Sequence, residues 1–315
     1  MMRSALPIAR VAFLDSTRAP AYGALLAVAL LVEALAPALA MFGFGQEDAL
    51  LKEFSVSTVL LVAVVLAGLS ASTVAHAELR SGAGEALFAK PVSRGAWVAG
   101  KFGGLAAAWT LAAYLLALAV LLAARQGPPK SAGEPWDGPV AVGALSACAL
   151  AAAIAIPAGL RSSRPFGQAA LFAFAPCLTA GFLLPATFDA QWRFRPFAPG
   201  FDPELLGALL IAYLAGILLV SVALLSAILF GRGALLATAL AFLGGLAWGG
   251  IDSPWLSWLP SLQAFWVGDV FYRPGLGVGP GLLLYAAVYT ASYSLVCGVV
   301  GTWALGRREV SAAAD

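Results

Sequence analysis

The chain has 315 residues, 61% of them hydrophobic and 11% charged, with a formal net charge of +2 and a mean hydropathy of +0.90. So little polar surface cannot cover a water-soluble globule of this length, and no nucleic-acid partner is expected. Backbone groups in lipid must pair within their own segment, and the apolar runs are too long for barrel strands, so the fold class expected is all-α, a polytopic helical membrane protein.

The first nineteen residues carry Arg3, Arg10 and Arg18 among Leu6, Ile8, Val11, Phe13 and Leu14. They read as a short interfacial amphipathic helix before Pro20 turns the chain into the membrane. A spanning helix needs roughly 20 apolar residues to cross about 30 Å of hydrocarbon. By that measure eight spans follow: Tyr22 to Phe42, Ser55 to Ala75, Phe102 to Ala124, Pro139 to Leu160, Gly167 to Pro185, Leu205 to Phe230, Ala234 to Gly250 and Gly281 to Leu305. Pro157 and Pro176 soften the fourth and fifth, and the seventh is short. Reading the fourth and fifth as a re-entrant hairpin would leave Arg161 and Arg164 in lipid, at roughly 2.5 to 3.5 kcal/mol per charge.

Ala38-Leu39-Ala40 has the small-residue look of a signal-peptide cleavage site, but Glu33 interrupts the run before it, so a retained span is expected. Placing both termini inside puts twelve of the eighteen Lys and Arg residues on the inner side, including Arg80, Lys90, Arg94, Lys101, Arg161, Arg232 and Arg307. That bias favours an N-in, C-in bundle in a cell membrane, surrounded by lipid. The loops at 188–201 and 254–272 then lie outside, and their Trp and Phe residues suit a headgroup belt or a cargo contact. Leu262, Phe265, Trp266 and Val270 fall near helical spacing and predict a short amphipathic helix before the last span.

Few groups carry chemistry. Cys148, Cys177 and Cys297 all fall within spans, giving neither a disulfide framework nor metal-ligand spacing, and His76 is the single histidine. Gly95 to Lys101 matches most of a phosphate-binding loop, but Phe102 stands where Ser or Thr must hold magnesium, and no strand precedes it. No catalytic residues, no metal and no cofactor of its own are expected, so the chain does not read as an enzyme. Glu33 is the one acid inside a span, either a functional group on a pathway or one paired to a neighbouring helix. Tyr285, Tyr289 and Tyr293 share one face of the last span, for packing or for cargo. Gly100 with Gly104, and Gly245 with Gly249, have the spacing that permits close helix approach.

The densest polar block runs from Glu78 to Lys101, between the second and third spans. Gly82 and Gly84 break the helix continuing from the second span, and Glu85 to Ala89 form a short turn presenting Leu87 and Phe88. Lys90 precedes Pro91 and leaves the helical region. Ser93 then caps a helix from Arg94 to Ala124, longer than a bilayer requires. A short transverse helix on a rigid stalk suits docking to a cytoplasmic protein.

In this block Glu78, Gly82, Glu85, Leu87, Lys90, Pro91, Val92, Ser93, Arg94, Gly100 and Lys101 fall in one ungapped register. It resembles the loop of permease subunits of ABC-2-type ATP-binding cassette transporters. The tail Gly306-Arg307-Arg308-Glu309-Val310 and the segment Pro260 to Asp269 resemble that family as well. The resemblance implies one transmembrane domain over the chain, a six-helix core with an extra hairpin at 139–185, an outer loop at 251–280, and a coupling-helix loop at 76–101. It further implies a partner-binding surface at Glu78, Gly82, Glu85, Leu87, Phe88, Lys90, Pro91, Ser93 and Arg94. ATP and magnesium would sit on a separate cytoplasmic nucleotide-binding subunit, a second permease copy would complete a homodimer, and cargo would be exported. Glu33 and the three tyrosines are the candidates along its pathway. An ion-coupled secondary transporter and a force-transmitting complex without cargo are the alternatives.

Overall fold

A computed structural model describes residues 2–76, 78, 93–129, 136–161, 165–195, 202–247, 259–273 and 277–312. These form nine α-helices: α1 (Met2–Arg18), α2 (Pro20–Leu39), α3 (Glu47–Ala71), α4 (Arg94–Gln126), α5 (Gly138–Arg161), α6 (Phe166–Thr187), α7 (Pro203–Phe230), α8 (Ala234–Ala247) and α9 (Pro280–Ala312). Among the described residues no strand forms, and one isolated bridge pairs Phe188 with Phe194. A multi-pass helical membrane protein is what this architecture describes, because seven of its helical runs are long and apolar enough to cross a bilayer.

The helix ends follow local chemistry. Pro20 and Pro203 open α2 and α7, where a missing N–H costs nothing. Asp202 caps α7 by accepting from the Glu204 amide at 2.9 Å, and Ser93 caps α4 by accepting from the Ala96 amide at 3.2 Å. The expected Arg94 helix is present and runs 33 residues, about 50 Å at ~1.5 Å per residue, well beyond the hydrocarbon thickness. The second span starts earlier than its apolar run, at Glu47, because Lys52 and Glu53 are carried within the helix.

The helical run of 45 residues from Pro203 to Ala247 is interrupted at Gly231, whose φ of +59° an L side chain rarely adopts. Beyond it the described part of α8 has 14 residues, about 21 Å at ~1.5 Å per residue. It doubles back: α8 starts with Leu235 against Gly68 of α3 and ends with Gly245 against Pro260. A sequence expectation changes at 262–270, where two 3-10 turns, Gln263–Phe265 and Gly268–Phe271, replace the amphipathic helix. Trp266 is extended, with φ −88° and ψ 95°, so Leu262, Phe265 and Val270 are buried by a folded loop rather than by a helix face.

At the centre stands α7, packed against α3, α4, α8 and α9. The Trp109 indole on α4 donates to the Tyr213 carbonyl at 3.0 Å, and the Tyr22 hydroxyl on α2 donates to the Ala108 carbonyl at 2.8 Å. The close approach expected at Gly100 and Gly104 occurs, and the partner is α1. A Cβ on Gly100 would stand 2.8 Å from the Ala5 carbonyl oxygen, and one on Gly104 would stand 2.6 Å from the Ala12 Cβ. Without side chains there, the two backbones meet and α1 runs alongside the first turns of α4.

Helices α5 and α6 form an antiparallel hairpin packed mainly on itself, and Gly143 meets the Gly181 backbone. It is tied to the bundle at three levels. Gln168 donates to Thr17 Oγ1 at 3.1 Å, Tyr114 and Thr179 share a hydroxyl bond of 2.7 Å, and Arg125 Nη2 donates to the Phe188 carbonyl at 2.6 Å. One end of the whole bundle gathers Arg18, Arg94, Lys101 and Arg307, and is called the basic end below. The other carries the Lys52–Asp202 pair and the 259–273 loop.

Candidate functional site

Of the residues singled out in the sequence, Glu78, Ser93, Arg94, Glu33 and the three tyrosines are described; Gly82, Glu85, Leu87, Phe88, Lys90 and Pro91 lie outside the described residues. The two flanks of that segment are joined to each other. Glu78 follows α3 and its π-helical turn Ser72–His76, and its carboxylate forms an ion pair with Lys101, two turns into α4. Lys101 has a side chain 2% exposed. Its ammonium also donates to the Val74 carbonyl at 3.4 Å and sits 5.7 Å above the Trp97 ring. The Trp97 indole in turn donates to Glu78 Oε1 at 3.3 Å. A carboxylate, a carbonyl and an aromatic face thus surround one buried ammonium, which offsets its desolvation.

Sequence reasoning carried Glu78 and Lys101 as separate members of a pattern and missed their pairing. The available signal was Lys101 itself, a cation inside an otherwise apolar helix, level with an acid closing the previous helix. Arg94, at the other flank, lies against the tail helix: a Cβ on Gly306 of α9 would stand 3.4 Å from Arg94 Nη1. The described residues flanking 79–92 therefore stand against α3, α4 and α9.

Glu33 is the opposite case. It is fully buried at 0% exposure, roughly 9 Å from the end of α2 at ~1.5 Å per residue. Neither carboxyl oxygen closes a hydrogen bond of regular geometry, and the same holds for the buried Ser55 hydroxyl, although that hydroxyl, on α3, faces the carboxyl closely enough for a weak one. As a carboxylate it would cost several kcal/mol, roughly 2.5 to 3.5 on insertion scales.

The tyrosines stack as their spacing predicts, with ring centroids 5.9 Å apart for Tyr285–Tyr289 and 6.1 Å for Tyr289–Tyr293. Tyr289 packs against the 259–273 loop, its hydroxyl accepting from the Ser261 amide at 2.8 Å and its ring meeting Phe265 at 6.0 Å, while Tyr285 is 51% exposed; Glu33 stands against α3. A narrow crevice between α4, α7 and α9 is lined by Phe102, Ser221, Ser294 and Cys297, and Ser221 donates to Ser294 at 2.7 Å across it.

Polar ties at the other end were not anticipated. Lys52 Nζ meets Asp202 Oδ2 at 2.6 Å. Burial pushes the Asp202 carboxyl up, and the Lys52 and Glu204 hydrogen bonds then hold it below its ordinary 3.8. Tyr272 is pushed up to about 12 by burial and by its hydrogen bond to Glu53. Arg125 Nε meets Asp137 Oδ2 at 3.2 Å. Among the described residues no group of three His, Cys, Asp or Glu side chains assembles to hold a metal ion. No family model, no curated protein and no solved structure matches the chain.

Proposed function

We propose that the chain is the membrane-spanning permease subunit of an ABC-2-type transporter, an exporter in the cytoplasmic (inner) membrane of a bacterium. It works as a homodimer with two cytoplasmic nucleotide-binding subunits that carry ATP and magnesium. The basic end faces the cytoplasm, giving an N-in, C-in arrangement, in line with the Lys and Arg bias. Residues 78–94 form the coupling element, and ATP-driven closure of the partner subunits tilts α3 and α4 together to open a path outward.

The observation that carries this reading is the clasp of Glu78, Lys101 and Trp97 at the foot of the segment with the family-like register. It gives that segment a rigid footing on two spans, which a loop merely linking two helices does not need. Cargo is expected to be amphipathic or apolar, since Glu33 is the one acid within the apolar core of the spans.

Two experiments test it. Purifying the tagged chain from its native membrane in mild detergent should bring along a soluble P-loop ATPase at near one-to-one stoichiometry. Scrambling residues 78–94 in a still-inserted protein should remove it. Well-folded chain that repeatedly emerges without an ATPase, even after crosslinking in the membrane, defeats the reading. Glu85→Ala with Arg94→Ala should preserve insertion and weaken partner binding or coupled ATPase activity, and normal coupling in that double variant defeats the coupling assignment.

A further inference from the structure

Glu33 and Ser55 raise a question that the transport reading does not answer. Two buried side chains on neighbouring helices face each other, and the three polar atoms between them find no partner beyond a weak contact with one another. Above them, toward the end opposite the basic one, Ala36, Ala40 and Leu51 form a small apolar cluster separate from the main core, with Phe54 packed against it. Ala36 and Ala40 follow Glu33 at three and seven residues, so they share its face of α2, and Leu51 precedes Ser55 by one turn of α3. The cluster therefore closes the way from Glu33 to that end of the bundle.

A ligand at this position has little to hold it. A calcium-like cation takes six to eight oxygens, and here one carboxyl and one hydroxyl converge. Among the described residues, no countercharge is offered by the elements packed against α2. Lys52 on α3 is taken by Asp202, and Glu53 lies beside Tyr272. Between Lys101 and Arg125 α4 carries no charge, and its Tyr114 is bonded to Thr179. No charged residue occurs in α6, and Asp15 and Arg18 of α1 stand at the basic end. The one ligand that needs neither space nor a coordination shell is a proton.

We infer that Glu33 and Ser55 form a proton-binding site closed by an apolar plug. Glu33 holds its proton as the neutral acid and releases it toward the end opposite the basic one when Ala36, Ala40, Leu51 and Phe54 part. In that step the carboxyl O–H bond breaks, the proton passes to water, and the carboxylate left behind is hydrated until it is reprotonated. Ser55 is the positioning residue, a hydroxyl able to accept from the acid or donate to the carboxylate. This inference stands independently of the ATP-driven reading.

Infrared difference spectroscopy of the full chain in lipid nanodiscs against Glu33→Gln is the test. The parent is expected to show a protonated-carboxyl carbonyl band that the variant lacks and that shifts in heavy water. A missing band, with Glu33→Gln melting like the parent, means an ionised Glu33 and overturns the site. Leu51→Ala, which shortens the plug, is expected to accelerate the heavy-water shift severalfold; an unchanged rate overturns the plug. Should Glu33→Gln fail to fold, a hydrophobic carbodiimide is applied to the parent chain. Modification mapped to Glu33 by mass spectrometry supports the site, and folded protein unmodified there overturns it.

Discussion

Lys101 and Glu33 are equally hidden, at 2% and 0% exposure, yet their surroundings are opposites. Lys101 is met by a carboxylate, a carbonyl and an indole ring; Glu33 is met by a hydroxyl that closes no hydrogen bond. The comparison teaches that burial alone says little about a charge. What matters is whether the protein has built partners that hold the ionised form or has left room for the neutral one. A clasped ammonium fixes two helices to one another, whereas the acid at 33 adds no firm polar tie between α2 and α3.

The sharpest way to break this contrast is to remove one member of the clasp. Lys101→Met removes the ammonium from the part-buried Glu78 carboxylate and is expected to destabilise the protein by about 1.5–3 kcal/mol, seen as a lowered melting midpoint in detergent. Adding Glu78→Gln to Lys101→Met should recover most of that loss, since both charges are then gone. A double variant as unstable as the single one would mean that the two residues are not coupled. Trp97→Phe keeps an aromatic face but deletes the indole donor to Glu78, and a loss of about 1 kcal/mol is expected in the same melt.

The Lys52–Asp202 pair is an intermediate case, with side chains 27% and 25% exposed. Its contribution should be small, about 0.2–1 kcal/mol. Because the folded Asp202 carboxyl lies below its ordinary 3.8, the stabilisation is complete above that value and is lost as pH falls through the lower, folded one. The melting gap between the parent and Asp202→Asn should therefore be present at neutral pH and close in strong acid; a gap that widens on acidification contradicts the pairing. Smallest of all is Glu33→Leu, expected within about 0.5 kcal/mol of the parent, because only a weak contact with Ser55 is lost. A penalty comparable to that of Lys101→Met would reveal a partner for Glu33 and erase the contrast.

Much of this fold was legible because hydrocarbon thickness imposes a length on every span, so the ends of α2, α5, α6 and α7 fall within a few residues of the apolar runs. The Ser93 cap and the tyrosine stack were also readable, since each rests on spacing within one helix. Contacts between distant segments were not. Gly100 and Gly104 announced a close neighbour without naming α1, and Glu78 with Lys101 required two helices to converge across a loop. The run from Pro203 to Ala247 reads as two spans by composition, but how α8 doubles back follows from the bend at Gly231 and the seat on Gly68. Ser55 gave no signal, because serines in spans usually bond their own preceding turn, as Thr58 does to the Phe54 carbonyl at 2.9 Å.

The seating of α1 on Gly100 and Gly104 sets a timetable for biosynthesis. Ala9 and Ala12 are made long before Gly104, and roughly ninety residues of elongation take on the order of 5–20 seconds at ~5–20 residues per second. Throughout that interval the first helix lacks its α4 seat while α2 and α3 are made. A cysteine crosslink between positions 9 and 103, where a Cβ on Gly103 would stand 3.7 Å from the Ala9 Cβ, should be absent from ribosome-stalled chains in which α4 is still inside the exit tunnel, and should appear once α4 has entered the bilayer. A crosslink that forms only in the finished protein would place the docking of α1 after release, as the last act of assembly rather than an intermediate one.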